Sequence, residues 1–179
     1  MEGHGGFAHN AQGARLVDVL EQRSPAYTGL NLTFETRRSL LKHPPPEGFP
    51  LAHDLAAAMA EEPPLEARLV DLADAAAYLH HDLDDALRAG LVGPEEPGAI
   101  ALWREARAEL VEEGRGGLGP GAVTQVLARM IKRVNQDLIR QTAGSLEPGF
   151  SPTVGALLEE LGAFLEARFY RAPDRKSVV

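Results

Sequence analysis

The sequence predicts an all-α protein with five or six helices. Apolar residues recur every three to four positions in several segments, as they do on one face of an amphipathic helix. Clusters of proline and glycine separate these segments and are typical of helix ends and turns. No segment shows the strict alternation of apolar and polar residues that predicts a half-buried strand. The 179 residues are enough for one domain with a sizeable core.

Two helices and a short helical piece are predicted in the N-terminal part of the chain. The first helix covers residues 7–22, where apolar side chains are near helical spacing. The second begins after Thr33, a residue type that caps helix N-termini, and three prolines stop it after His43. A Pro-rich crossing over residues 44–64 follows, with a short helical piece around 55–60.

The longest pattern predicts a helix over residues 65–90, opened by two prolines and closed by a C-terminal glycine. Three more helices are expected over residues 99–113, 122–143 and 152–170. The glycines between the first two of these are expected to form a linker, since no Gly-Lys-Ser/Thr of a phosphate-binding loop follows them.

Composition excludes several classes of function. The net charge of −8 argues against a large nucleic-acid-binding surface. The absence of cysteine excludes disulfides and thiolate metal sites and fits a cytoplasmic protein. No apolar run approaches the roughly 20 residues that span a bilayer, so no membrane association is expected.

One face of the helix predicted over residues 65–90 carries an unusual set of polar residues. At about 100° per residue, six side chains fall on one face, opposite a stripe of Leu and Ala. This polar strip consists of Asp71, Asp74, Tyr78, His81, Asp82 and Asp85. A solvated surface is the common role of such a strip. The absence of Lys and Glu and the presence of Tyr and His favour a functional site.

The residue types suggest a site for a metal ion and a phosphate ester. Asp74 is a candidate metal ligand, and His9 is a candidate acid or base, although a capping or surface role is common for a lone His. Tyr78 and Asp82 follow Asp74 by one and two turns and suit a sugar ring and its hydroxyl. Arg129 and its basic neighbours suit phosphates, with solvated surface as the alternative.

Three segments closely resemble the bacterial deoxyguanosinetriphosphate triphosphohydrolase-like family of HD-domain dNTPases. They are GGFAHNAQGARLV, TGLNLTFETRRSLLKH and LEARLVDLADAAAYLHHDLDDALRAGL, in the order and spacing of the family. The resemblance implies an all-α HD-domain-like helical bundle, here incomplete. It implies hydrolysis of a dNTP to a deoxynucleoside and triphosphate. It also implies that the intact enzyme binds Mg²⁺ or Mn²⁺. Family members are commonly homo-oligomers.

The resemblance also assigns roles to the candidate residues. Asp74 matches the last Asp of the family's His…His-Asp…Asp metal set. Tyr78 and Asp82 match residues that contact the deoxyribose, with Asp82 accepting from the 3′-hydroxyl. His9 matches a His beside the catalytic His and the triphosphate, and Arg129 aligns loosely with a phosphate-facing Arg. Ala8 and Ala75 replace acidic residues of the family without removing a proposed ligand.

The family's first metal-binding His and its H-D-x-G-H-P-P-F-G-H segment have no counterpart in this sequence. Neither His53-Asp54, in the Pro-rich crossing, nor His81-Asp82, on the helix of Asp74, replaces them. We therefore expect a C-terminal piece of a dNTP triphosphohydrolase that is inactive alone, because a single Asp does not hold a catalytic divalent ion.

The expected organisation has three parts. Residues 1–92 would be the second part of an HD-type domain, and 93–173 a C-terminal helical region. Residues 174–179 continue no pattern and are expected to be a non-native tail. Two other functions stay open: an HD phosphohydrolase for another nucleotide, which the Tyr78 and Asp82 pair disfavours, and a non-enzymatic helical interaction module.

Overall fold

The computed structural model describes residues 8–41, 51–114, 121–145 and 147–171. Within these ranges the chain forms α-helices and no strand, with one isolated bridge between Gln22 and Gly29. The helices are α1 (His9–Arg15), α2 (Phe34–Leu40), α3 (His53–Ala58), α4 (Leu65–Arg88), α5 (Ala101–Glu112), α6 (Ala122–Thr142) and α7 (Pro152–Leu165). The all-α prediction is confirmed, and α3 is the short piece expected in the Pro-rich crossing.

Local sequence signals set the helix ends. The Thr33 hydroxyl accepts a hydrogen bond from the Thr36 amide at 3.4 Å and caps α2, as predicted. Ser151 caps α7 in the same way through the Val154 amide at 3.2 Å. Gly90, just beyond α4, has a φ of 65°, which a residue with a Cβ adopts only with strain.

Both terminal helices continue beyond their α-helical part in a wider turn. A π-helical turn over Leu16–Leu20 extends α1, and a second one over Glu166–Tyr170 extends α7. The helix predicted over 7–22 is therefore present as far as Leu20, and the one predicted over 152–170 as far as Tyr170, although residue 7 lies outside the described residues. None of the helices in the described ranges combines the length and apolar character that crossing a bilayer requires.

The chain divides into two compact units between Asp71 and Leu72, within α4. In the first unit a small core joins Ala11, Ala14, Leu41 and Leu55. In the second unit sixteen buried residues from α4 to α7 form a larger core. The predicted limits at 1–92 and 93–173 stay a prediction, and 174–179 lie outside the described residues.

The three short helices of the first unit are joined by two arginines of α2. Arg37 pairs with Asp18 and Asp54, each at 2.6 Å, and so connects α2 to the turn after α1 and to α3. Hydrogen bonds from Arg37 hold the pKa of the Asp54 carboxyl below its ordinary value. Helices of six or seven residues are unstable in isolation, so these tertiary contacts decide whether they form.

Arg38 is buried and binds backbone carbonyls instead of a carboxylate. Only 3% of this residue is exposed. Its guanidinium donates to the carbonyl of Leu41 at 2.7 Å, to that of Glu61 at 2.9 Å and to that of Ala58 at 3.3 Å. Leu41 and Ala58 lie at the ends of α2 and α3, where carbonyls lack the intrahelical partner four residues later and carry partial negative charge.

We expect Arg38→Met to lower the free energy of unfolding by about 2–4 kcal/mol, because it removes the three hydrogen bonds that this buried guanidinium donates to backbone carbonyls. Arg23→Met is the control, since the Arg23 side chain is 75% exposed. Urea denaturation followed by circular dichroism measures both changes. Equal midpoints for the two variants would contradict the role of Arg38.

Candidate active-site wall

Helix α4 presents the polar strip on the side opposite its packing face. Ala76, Leu83 and Ala86 are buried, while Asp74 and Tyr78 are exposed and Asp82 is half-buried. Asp74, Tyr78 and Asp82 follow each other at one-turn intervals along this exposed side. The three side chains therefore line one wall, as the helical spacing predicts.

Tyr170 joins this wall from the π-helical turn that follows α7. Its hydroxyl donates a hydrogen bond to Oδ2 of Asp82. The Tyr78 hydroxyl interacts with the same phenol. Tyr78 and Asp82 of α4 thus form one group of side chains with Tyr170, which follows Asp82 by 88 positions. We call this group the Tyr78–Asp82–Tyr170 cluster.

The surroundings of Tyr170 keep its hydroxyl protonated. Tyr170 is 43% exposed, but partial desolvation of its hydroxyl and the hydrogen bond to Asp82 both raise the pKa of Tyr170 well above its ordinary value. An ionised phenol would face the Asp82 carboxylate, so the protonated donor is favoured. In the cluster, Asp82 accepts a hydrogen bond from the protonated Tyr170 hydroxyl.

Sequence reasoning did not identify Tyr170 as a member of the site. Only the aromatic pair Phe169–Tyr170 marks it, in a chain in which 6% of residues are aromatic. The two rings lie 5.2 Å apart and are tilted by 46°. The packing of Phe169 against the core of the second unit fixes the segment that presents Tyr170.

Arg129 lies on α6, in a groove that residues of α5, α6 and the start of α7 line. Its guanidinium pairs with Glu113 at 2.6 Å and with Glu109 at 3.2 Å, and these contacts raise its pKa. It lines a groove of about 470 Å³ with Lys132 and Arg133, and no residue of α4 lines this groove. The structure therefore does not place Arg129 with the polar strip, and its phosphate role stays a prediction.

His9 is the first residue of α1 and is exposed. It belongs to the first compact unit, whereas Asp74, Tyr78 and Asp82 belong to the second. Its role as an acid or base stays a prediction.

The residues described do not form a complete metal site. Within 8–41, 51–114, 121–145 and 147–171, no three His, Asp or Glu side chains are grouped so that they could hold one ion. Mg²⁺ requires near-octahedral coordination by oxygen, for which one or two carboxylates and several waters or substrate oxygens are usual. Asp74 thus supplies one ligand at most within this part of the chain.

Comparison with curated proteins gives several relatives with one name. The chain is 39% identical over 148 residues to a deoxyguanosinetriphosphate triphosphohydrolase-like protein of Ralstonia nicotianae, covering 82% of this chain and 38% of the relative. It is 33% identical over 189 positions to one of Thiobacillus denitrificans, covering 96% of this chain and 50% of the relative. A third, from Deinococcus radiodurans, is 46% identical over 111 residues, 59% of this chain and 26% of the relative.

The chain spans half or less of the length of these curated relatives. A comparison with protein-family models gave no match. The similarity therefore rests on pairwise alignments to individual proteins, and it extends over most of this chain.

We expect Asp82→Asn to lower the pKa of Tyr170 towards the ordinary value of about 10, because the neutral amide no longer repels a phenolate. Ultraviolet titration at 295 nm, compared with Tyr170→Phe to identify the signal, measures the change. The control is Asp85→Asn, which makes the same chemical change at an exposed position of the polar strip. A titration curve of Tyr170 that is unchanged by Asp82→Asn would contradict the cluster.

Proposed function

Because the chain belongs to the deoxyguanosinetriphosphate triphosphohydrolase-like family, we propose that it is part of a metal-dependent dNTP triphosphohydrolase. The reaction would convert dGTP or another dNTP and water into a deoxynucleoside and triphosphate. The observation that carries the proposal is the arrangement of Asp74, Tyr78 and Asp82 along one exposed side of α4. The relatives' names support this family of hydrolases.

In this proposal Asp82 accepts a hydrogen bond from the sugar 3′-hydroxyl and Tyr78 contacts the sugar ring. The bond from Tyr170 to Asp82 supports the first role, since it shows that a hydroxyl reaches this carboxylate. The exposure of Tyr78, 59%, supports the second, since its ring is available to a ligand. A ring face and a hydroxyl acceptor together suit a sugar with a free hydroxyl.

Asp74 would be one ligand of Mg²⁺ or Mn²⁺ in a complete enzyme, because a short carboxylate is a hard oxygen ligand. The described residues do not fit a complete site, and the sequence contains no H-D-x-G-H segment. The chain alone is therefore proposed to be inactive. His9 near the triphosphate and Arg129 at a phosphate belong to the same proposal.

Measuring the activity of this chain tests whether its active site is complete. With Mg²⁺ or Mn²⁺ and each of the four dNTPs, we expect no release of triphosphate above that of Asp74→Ala. Anion-exchange chromatography separates triphosphate from the dNTP. Turnover well above that of Asp74→Ala would show that the 179 residues hold a working site and would contradict the proposal of inactivity.

The sugar site is tested without turnover. We expect 2′-deoxyguanosine to give a saturation-transfer NMR signal at least about threefold stronger than that of 2′,3′-dideoxyguanosine, because loss of a hydrogen bond to a charged group costs about 1.5–3 kcal/mol. Asp82→Asn should remove the difference, and Asp85→Asn should keep it. Equal signals from the two nucleosides with the unmodified chain would contradict the role of Asp82.

A further inference from the structure

His80 is a buried histidine on the packing side of α4 that the proposed function does not use. Only 2% of the residue is exposed. Its Nδ1 lies 2.6 Å from the carbonyl oxygen of Ala76, one turn earlier. A carbonyl oxygen can only accept, so Nδ1 carries the hydrogen. The neutral ring has a single N–H, and Nε2 is therefore an acceptor.

The acceptor nitrogen of His80 has no partner within the part of the chain that the structure describes. Nε2 is buried and makes no hydrogen bond there. Buried polar side-chain atoms are nearly always paired, and one without a partner destabilises the fold. Burial also lowers the pKa of His80, so the lone pair of Nε2 is free of a proton at neutral pH.

His80 forms part of the wall of a groove between α4 and α6. The groove has a volume of about 240 Å³. It is lined by Ala73, Ala76, Ala77, His80 and His81 of α4 and by Ile131, Val134 and Asn135 of α6. Among the described residues, no carboxylate, lysine or arginine lines it. The lining favours a neutral ligand that is mainly apolar.

We propose that this groove binds a small neutral aromatic molecule with one N–H or O–H donor, of the phenol or indole class. The ring lies among the Ala, Ile and Val side chains, and the donor pairs with Nε2 of His80. Because this nitrogen is covered in the free chain, entry of the ligand includes a small shift of the groove wall. A water molecule suits the position less well, since it needs two to four polar partners.

Phenol and toluene are the probes, because they share the ring and differ in the donor. Titration followed by ¹H–¹⁵N NMR of the full chain measures both affinities. We expect phenol to bind at least about tenfold more tightly than toluene. Phenol should move the ¹⁵N resonance of His80 Nε2 upfield, as accepting a hydrogen bond does, whereas toluene should leave it in place.

Three variants separate the ring pocket from the donor contact. His80→Leu should keep toluene binding and lose the preference for phenol. Ala77→Leu, which fills the groove, should weaken both ligands at least about tenfold. Ala75→Leu is the control, because Ala75 is exposed on the same helix and does not line the groove.

Equal affinities for phenol and toluene, or an unmoved Nε2 resonance at saturation with phenol, would overturn the proposal. So would an Nε2 that is paired with an ordered water and no binding of either probe. If His80→Leu does not fold, two measurements still test the proposal. They are the Nε2 resonance of His80 in the unmodified chain and the ligand affinities of Ala77→Leu and Ala75→Leu.

Discussion

The helical period of α4 is the constraint on which the rest of the second unit depends. One side of a helix that packs against a core must be apolar, and the side chains at intermediate angles then point to solvent. Burial of Ala76, Leu83 and Ala86 therefore sets the direction in which Asp74 and Tyr78 point. The core positions the candidate site, although no core residue belongs to it.

The first unit uses a different source of stability. Its buried apolar core is small, and α1, α2 and α3 are only six or seven residues long. Two adjacent arginines supply the missing contacts: Arg37 binds side-chain carboxylates, and Arg38 binds carbonyls at helix ends. A guanidinium has five donors in a fixed plane, so it can join several elements where a lysine would serve as a point charge.

Periodicity and end signals were sufficient to predict the helices and the exposed side of α4. Each of these features depends on neighbours within about four positions, and Thr33 and Gly90 show it directly. The contact between Asp82 and Tyr170 depends on how α7 packs against the same core, and no local pattern encodes it. Sequence periodicity also did not single out His80 as a buried polar residue.

Arg129 shows the same limit of prediction from sequence. The sequence shows the charge of a basic residue on an amphipathic helix, but the function of that residue depends on which element packs opposite it. In the structure that element is α5, and Glu109 and Glu113 already neutralise the guanidinium. An anion at this place would compete with two carboxylates, whereas a hydroxyl at Asp82 would meet a carboxylate with acceptor sites on both oxygens. The geometry therefore supports the sugar part of the proposed site more strongly than its phosphate part.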